Sequence, residues 1–424
     1  GGAQENTLLT CRDHLEKGHE VVLVTGPTAG PEGKLLQKQP LPGLEVVEIP
    51  DLVRELRPPA DWRAYRDLRR LFRERQFDVV HTHASKAGIL GRLAAWREKV
   101  PAVVHTVHGQ AFHPYQAAWR NWLYIAAERY AARHCHRIYA VAQAMIDQCV
   151  AAKVAPADKY KVVYSGMDMA AFSGAKPEGE LRESLGIPPE ALIVGKVARL
   201  FELKGHEYLL QAAPAIVARF PTVRFLLVGD GNLRGELEAE IARLGLAEHF
   251  IFTGLVPPAD VCRYTALMHV LVHLSLREGL PRTVVQALAS GVPAIGFPLD
   301  GTPEVILNGE TGLLCPTGDA VAVGEAVCDL LADPERRRAM GAAGQELVLE
   351  RFSWQRMGQV LEQEYLRVIV LNTRNHVLGI VEVTHGSVNS SQVRIAEVLK
   401  PAVERMAPAI IVVHNHPSGA PRSI

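Results

Sequence analysis

Leu274-Ser-Leu-Arg-Glu-Gly-Leu-Pro-Arg-Thr-Val-Val-Gln-Ala-Leu-Ala-Ser-Gly-Val-Pro-Ala-Ile-Gly-Phe-Pro298 is the stretch that decides how this chain is read. The apolar run from His269 to Ser275 delivers the backbone to Glu278, and Gly279, Leu280 and Pro281 turn it. A short helix then runs to Gly291, with Pro at its first turn and Gly past its end. A strand, a loop and a helix in that order set Glu278 outside the carboxyl end of the strand, where ligands bind in open parallel sheets. A carboxylate there repels a phosphate, so its natural partners are hydroxyls, from which both of its oxygens accept. Sugars carry such hydroxyls. A surface-loop Glu278 and a solvated Gln286 on the helix would give the same spacing, so the rest of the chain has to weigh in.

Working outward, strand-like runs at 192–198, 223–228, 250–253, 269–275, 293–297 and 312–315 alternate with helical patterns. An earlier series at 21–26, 44–49, 78–83, 102–108, 137–142 and 161–164 does the same. Each alternation argues for a parallel, doubly wound α/β sheet. The segment 170–189, rich in Gly, Pro and charge, reads as the linker between them. The first strand of the second series ends at Arg199, and Lys204-Gly205 opens a helix. Two cations beside a helix N-terminus suit a diphosphate, Arg as a planar fork and Lys as a point charge; two solvated loop cations are the plainer alternative. Val228-Gly-Asp-Gly-Asn232 and the loop 254–258, which contains Val256, lie on the same edge. Glu304, in Asp300-Gly-Thr-Pro-Glu304, reads as a first-turn acid complementing a helix dipole.

Glu278, seven residues and Gln286, together with Arg199, Lys204 and His108-Gly109, resemble the donor-binding motifs of the retaining glycosyltransferases of family 4, whose fold is GT-B. The resemblance covers residues 1–366 and implies two Rossmann-like domains facing across a cleft: 1–168 on the acceptor side, its first strand missing, and 169–350 on the donor side. A helix at 351–366 would cross back to the first domain. By resemblance the donor is a nucleotide diphosphate-sugar, with Arg199 and Lys204 on its diphosphate and Glu278 and His108 on its sugar. Gly279 and Leu280 would belong to the same loop, Gly2, after Gly1, would lie under the phosphates, and Val256 near the base. Gln286 stands where the family has a second Glu on the ribose; its amide oxygen still accepts from a hydroxyl, but without charge assistance, so donor binding is expected to be weaker. His83, His105 and His113 compete with His108. The resemblance implies no metal or other cofactor for transfer, and a hydroxyl of a glycan or lipid-linked glycan as acceptor.

Residues 367–424 carry a second resemblance. Leu371-Asn-Thr373 sits between two apolar runs that read as a hairpin, a helix follows at about 391–405, and a strand at 409–413 leads into His414-Asn-His-Pro-Ser-Gly419. With Gly386 to Ser391, this is similar to the front of a RadC-type JAMM (MPN-like) domain, in which the two His bind zinc together with a later Asp. The chain stops eight residues after His416, so His414 and His416 form an incomplete metal site. A passive appendage and a metal-dependent hydrolase or DNA-associated module are both readings of this tail. A sugar-nucleotide-binding protein without turnover is a third alternative for the whole chain.

The composition, with 46 basic and 46 acidic side chains, gives no reason to expect nucleic acid as a partner. Eight arginines between Arg54 and Arg75 form a local excess that suits an anionic membrane surface or a solvated helix face. Six cysteines without metal-ligand spacing point to a reduced, cytoplasmic setting, peripheral to the inner face of the membrane at most. No run approaches the roughly 18 to 20 apolar residues of a membrane span. Neither a signal peptide nor an initiator Met precedes Gly1, which suggests a clipped chain.

Overall fold

In the computed structural model the described residues are 2–27 and 40–365, together with strands at 368–371, 377–381 and 409–411. The chain divides into two compact units. One comprises Gly1–Thr10, Thr106–Arg129 and Tyr139–Arg356; the other comprises Cys11–His105, Tyr130–Ile138 and Met357–Ile424.

The early strands are β1 (Val22–Thr25), β2 (Glu45–Glu48), β3 (Val79–His83), β4 (Ala102–Val107), β5 (Arg137–Ala140) and β6 (Tyr160–Val162). All six fall on the runs expected from sequence, but they do not make one sheet: β1 pairs in parallel with β2 alone, and β3-β4-β5-β6 form a second sheet. In the doubly wound order 3-2-1-4-5-6, the strand that would stand between the two groups is not among the described residues. The opening helix runs Gly2–Glu16, starting well before the apolar pattern at Leu8, because Asn6, Leu8, Leu9 and Thr10 are all buried.

The later strands are β7 (Ile193–Val197), β8 (Arg224–Val228), β9 (Phe250–Phe252), β10 (Val270–His273), β11 (Ala294–Gly296) and β12 (Gly312–Leu314). They form one sheet in the order β12-β11-β10-β7-β8-β9, and every pairing is parallel. Renumbered from β7, this is the doubly wound order 3-2-1-4-5-6, whose topological switch point lies between β7 and β10. Val194, Leu209, Ile216, Phe225, Val272 and Ile295 fill the core on one face, all at most 1% exposed. Phe225 and Phe250 stack there with ring centroids 4.5 Å apart. Two helices that close this half start at sequence-legible caps: Asp319 accepts from the Ala322 N–H and Asp333 from the Arg336 N–H, each at 2.9 Å, with Pro334 at the first turn of the second.

The segment 170–189 is not a bare linker. It contains the helices Ala170–Gly174 and Gly179–Ser184 and lies inside the first unit, anchored by buried Met169, Phe172 and Ile187. The last long helix also differs from expectation: Arg351 ends the helix Pro334–Arg351, and a separate one spans Trp354–Tyr365. Within the second unit this last helix is held by Glu362, paired with Lys17 at 2.8 Å, and by the Tyr365 hydroxyl, 2.7 Å from His81 Nδ1.

In the second unit the arginine-rich stretch forms the helix Pro58–Arg75, and much of its charge is used internally. Arg63 pairs with Asp51, Arg69 and Arg73 converge on Glu98, and Arg75 bridges Glu45 and Glu20. Among the described residues no helix is long and apolar enough to cross a membrane. All six cysteines are free and buried. In the tail, the expected hairpin is present: β13 (Val368–Leu371) pairs antiparallel with β14 (Val377–Val381), and β15 (Ala409–Ile411) pairs antiparallel with the other edge of β13. The expected helix at 391–405 lies outside the described residues.

Candidate functional site

The loops that follow β7 and β10 leave the sheet on either side of the switch point, and backbone contacts tie them together. Gly205 has φ 64°, and a Cβ on it would stand 1.9 Å from the Leu274 carbonyl oxygen, so only glycine allows the β7 loop to lie this close. The Leu276 N–H donates to the Leu203 carbonyl at 2.9 Å. Lys204 is thereby brought to Glu278, its Nζ 2.5 Å from Oε1. Residues 74 positions apart in sequence, both drawn from sequence as ligands of one donor, meet at one edge of one sheet.

Burial pushes the Glu278 carboxyl up, but the charge that His273 carries when protonated in acid, the charge of Lys204 and hydrogen bonds from Lys204 and Ser275 outweigh it, and the group lies below the usual carboxylate range. His273, at the end of β10, is itself driven by burial down to about 4. At neutral pH its ring is therefore uncharged, and Lys204 is the cation that keeps Glu278 ionised. The His273 Nε2 is buried without a hydrogen-bond partner and sits 3.8 Å from Glu278 Oε1.

The backbone of Glu278 is fixed as well. Its N–H donates to Asp300 Oδ2 at 2.6 Å, while Asp300 Oδ1 accepts from the Gln148 side chain at 2.7 Å. Asp300 holds φ 51°, a left-handed conformation that Asp tolerates better than most residues. Arg277 donates to the Gln110 carbonyl. Gly279 packs against the end of β4: a Cβ there would lie 2.2 Å from the His108 carbonyl oxygen. His108 thus borders the Glu278 loop through its backbone, whereas His83 and His105 belong to the other unit. Leu280 is buried beneath the turn.

Arg199 is exposed at the mouth of the β7 loop, its guanidinium carbon 5.0 Å from the Phe201 ring centroid. The loop is braced from within, where His206 Nε2 meets the Arg199 carbonyl at 3.1 Å. The helix that follows, His206–Arg219, starts after Gly205 with no side-chain cap on its N–H groups. Gln286 is half-buried on the helix Arg282–Ala289, and its side chain makes no hydrogen bond among the described residues. Val256 is half-buried in the loop after β9, next to Leu255, which is 77% exposed.

Gly2 is not in a turn after a strand; it is the first residue of its helix, where a Cβ would come 2.8 Å from Arg282 Cδ. Arg282 in turn pairs with Glu5 at 2.6 Å, so Gly2 adjoins the first turn of the donor-motif helix. Gly1 lies outside the described residues. Glu304 caps a helix other than its own: its carboxylate accepts from the N–H groups of Gln143 and Ala144 at 2.9 and 3.2 Å, at the start of the helix Gln143–Ala151. Among the described residues no group of three or more His, Cys, Asp and Glu could hold a metal. His414 and His416 lie outside the described residues.

Sequence reasoning missed Asp300, His273 and Lys196. Asp300 was readable only as part of a turn. His273 and Lys196 were hidden inside apolar strand runs, where a polar residue two or three places from the carboxyl end is the one available signal.

The glycosyl transferases group 1 model matches residues 177–347, and the glycosyl transferase 4-like domain matches 1–166. A RadC-like JAB domain matches 345–423. The UDP-Gal:alpha-D-GlcNAc-diphosphoundecaprenol alpha-1,3-galactosyltransferase of Escherichia coli is 30% identical over 275 residues, covering 64% of this chain and 70% of that protein. The 2-deoxystreptamine N-acetyl-D-glucosaminyltransferase of Streptomyces fradiae is 29% identical over 393 residues, 87% of this chain and 91% of that one. The crystal structure of HepE from Anabaena, in complex with UDP and glucose, aligns with a TM-score of 0.72 at 21% identity over 86% of this chain and 95% of its own. That likeness shows the fold, which is GT-B.

Proposed function

The chain belongs to the group 1 glycosyl transferases, and from that premise we propose that it transfers a sugar, with retention at the anomeric carbon, from a nucleotide diphosphate-sugar to a hydroxyl of a glycan or lipid-linked glycan. The observation that carries this reading is the meeting of Lys204 and Glu278 at the switch point of the later sheet. A cation for the diphosphate and a carboxylate for sugar hydroxyls there face one donor. The E. coli relative is named for a UDP-sugar donor and a diphosphoundecaprenol-linked acceptor, and the Anabaena structure is a complex with UDP and glucose; both favour this class of substrates.

In this reading Arg199 and Lys204 take the diphosphate, Glu278 and His108 the sugar, and Gln286 the ribose. Gly279 and Leu280 shape the Glu278 turn, Val256 borders the base, and Gly2 adjoins the phosphates through Arg282. The acceptor oxygen bonds to the anomeric carbon on the face from which the diphosphate departs. The carbon–oxygen bond to the diphosphate breaks with its electron pair leaving on the diphosphate, and the acceptor proton passes to a departing phosphate oxygen. Charge stabilisation by two protein cations supplies most of the barrier lowering, so transfer needs no metal. Peripheral membrane contact fits the helix Ala118–Ala132 better than the ion-paired arginine helix. Trp119, Trp122 and Leu123 are 64, 71 and 45% exposed, and of its fifteen residues Ala131 and Ala132 alone are buried.

Thermal shift with UDP-, GDP- and ADP-sugars tests the donor site, since a ligand at 100 times its Kd stabilises by about 2.7 kcal/mol. Release of nucleoside diphosphate that depends on acceptor and survives EDTA is the expected result for the enzyme. A donor that stabilises the chain with no release in any acceptor mixture favours a binding protein without turnover. Activity that EDTA abolishes instead favours a metal-dependent hydrolase in the RadC-like tail. Deleting the residues after Tyr365 is expected to leave transfer intact, because the pairs Lys17–Glu362 and His81–Tyr365 are then kept.

A further inference from the structure

The switch point holds one more cation than the diphosphate pair accounts for. Lys196 lies on β7 three residues before Arg199, in register with Leu227 of β8, and is 2% exposed. No acceptor among the described residues lies within hydrogen-bond or ion-pair distance of its ammonium. The charged and titratable groups that act on it are Lys204 and Glu207, on the loop and helix after β7, and Glu278, on the loop after β10. It acts in turn on His206 and His273. A buried ammonium with no paired acid is costly, and strand positions facing a core are ordinarily filled with apolar side chains. At an edge built for an anion, the ligand itself can be the missing counter-charge.

We propose that Lys196 is a third cationic residue of the diphosphate site, held at the carboxyl end of β7 until a nucleoside diphosphate supplies its counter-charge. The inference rests on the donor reading above and adds a positioning and charge-matching residue to it. Burial, and after it the repulsion of Lys204, draw the Lys196 amine down to about 7 against the pull of Glu207 and Glu278. Near neutral pH the free protein therefore holds the amine partly as neutral –NH2. Two negative phosphates bring a proton onto it from solvent, so that donor binding and proton uptake are linked. His206 and His273, both near 4, stay neutral in this range.

The sign for stability follows from the same lowering. Between about pH 7 and 10.5 the unfolded chain holds the Lys196 proton and the folded chain does not, so the fold gains stability as pH rises through that window; below it the buried charge is a standing cost.

The test is calorimetry of UDP-glucose binding to the full chain at about pH 7.5, in two buffers of different ionisation enthalpy. The diphosphate diester of UDP-glucose does not itself titrate there. Uptake of a large fraction of one proton per donor is expected for the parent. In Lys196→Met the uptake is expected to vanish and affinity to fall roughly tenfold, as for loss of a charge-assisted contact. Lys196→Arg is expected to bind with no uptake. Independently of donor, Lys196→Met is expected to melt above the parent at about pH 6.5, with the gap narrowing to roughly half by about pH 9 and closing only above about pH 10.5. Unchanged uptake in either variant, or affinity of Lys196→Met within twofold of the parent, overturns the role of Lys196 and leaves the donor site standing. Failure of the parent to bind any UDP-, GDP- or ADP-sugar overturns the donor reading, and this inference with it. If Lys196→Met does not fold, Lys196→Arg alone decides.

Discussion

Gly279 offers the sharpest test of the donor loop, because its surroundings fix both the sign and the size of the effect. A methyl added there would stand 2.2 Å from the His108 carbonyl oxygen and 3.4 Å from Val141 Cγ2. Carbon and oxygen approach without strain to about 3.3 Å, so backbone must move by about 1 Å. The obstacle is a carbonyl at the end of a strand, which cannot swing aside as a side-chain tip can. The displacement therefore falls on the turn that holds Glu278, whose N–H is pinned to Asp300. Overpacking of this kind costs about 1 to 3 kcal/mol of stability. A catalytic group displaced by about 1 Å can lose roughly a hundredfold in rate. Gly279→Ala is thus expected to lower turnover by about a hundredfold, with a smaller effect on donor affinity and a melting temperature reduced by a few degrees. The assays are nucleoside diphosphate release under saturating donor, donor titration by thermal shift and a melting curve. Turnover within twofold of the parent at an unchanged melting temperature would show that the loop is not held against the His108 carbonyl.

The diphosphate pair predicts that Arg199→Ala and Lys204→Ala each slow transfer by roughly a hundredfold or more, read as kcat at saturating donor; a loss under threefold in both would defeat the assignment. Gln286→Glu is expected to keep or tighten donor binding, whereas Gln286→Leu weakens it by roughly 1 to 3 kcal/mol; equal affinities for the three proteins would mean that the side chain faces elsewhere. Glu304→Ala leaves the N–H groups of Gln143 and Ala144 without their acceptor, and a lost helix cap of this kind costs about 0.5 to 2 kcal/mol. It is expected to lower the melting temperature by a few degrees, and no shift at all would show that solvent satisfies those groups equally well.

The sequence foretold twelve strands in two series because each strand is a short β-branched, apolar run closed by glycine, proline or a charged turn, a signal that survives without tertiary information. It did not foretell that the earlier series divides into two sheets, since pairing order depends on which strand stands between which, and the runs themselves look alike. The site splits along the same line. Glu278, Arg199 and Lys204 were legible because they follow strands, and all residues that follow parallel strands share an edge. Asp300 and Glu304 were not legible in their actual roles. Each accepts backbone N–H groups from a distant part of the chain, Asp300 from residue 278 and Glu304 from residues 143 and 144, and such pairs leave no periodicity to read.

Lys196 is the instructive case. A lysine in an apolar strand looks like an exposed position on a half-buried sheet, and only the burial of both faces of this parallel sheet turns it into an uncompensated charge. The start of helix His206–Arg219 lies at the same edge: Gly205 packs against the Leu274 carbonyl just past β10, and Glu207 and His206 in its first turn interact electrostatically with Lys196. A Cβ at Gly205 would stand 1.9 Å from that carbonyl oxygen, so Gly205→Ala is expected to push the β7 loop away from Leu274 and with it Lys204 from Glu278, weakening donor binding; donor affinity equal to the parent's would refute this.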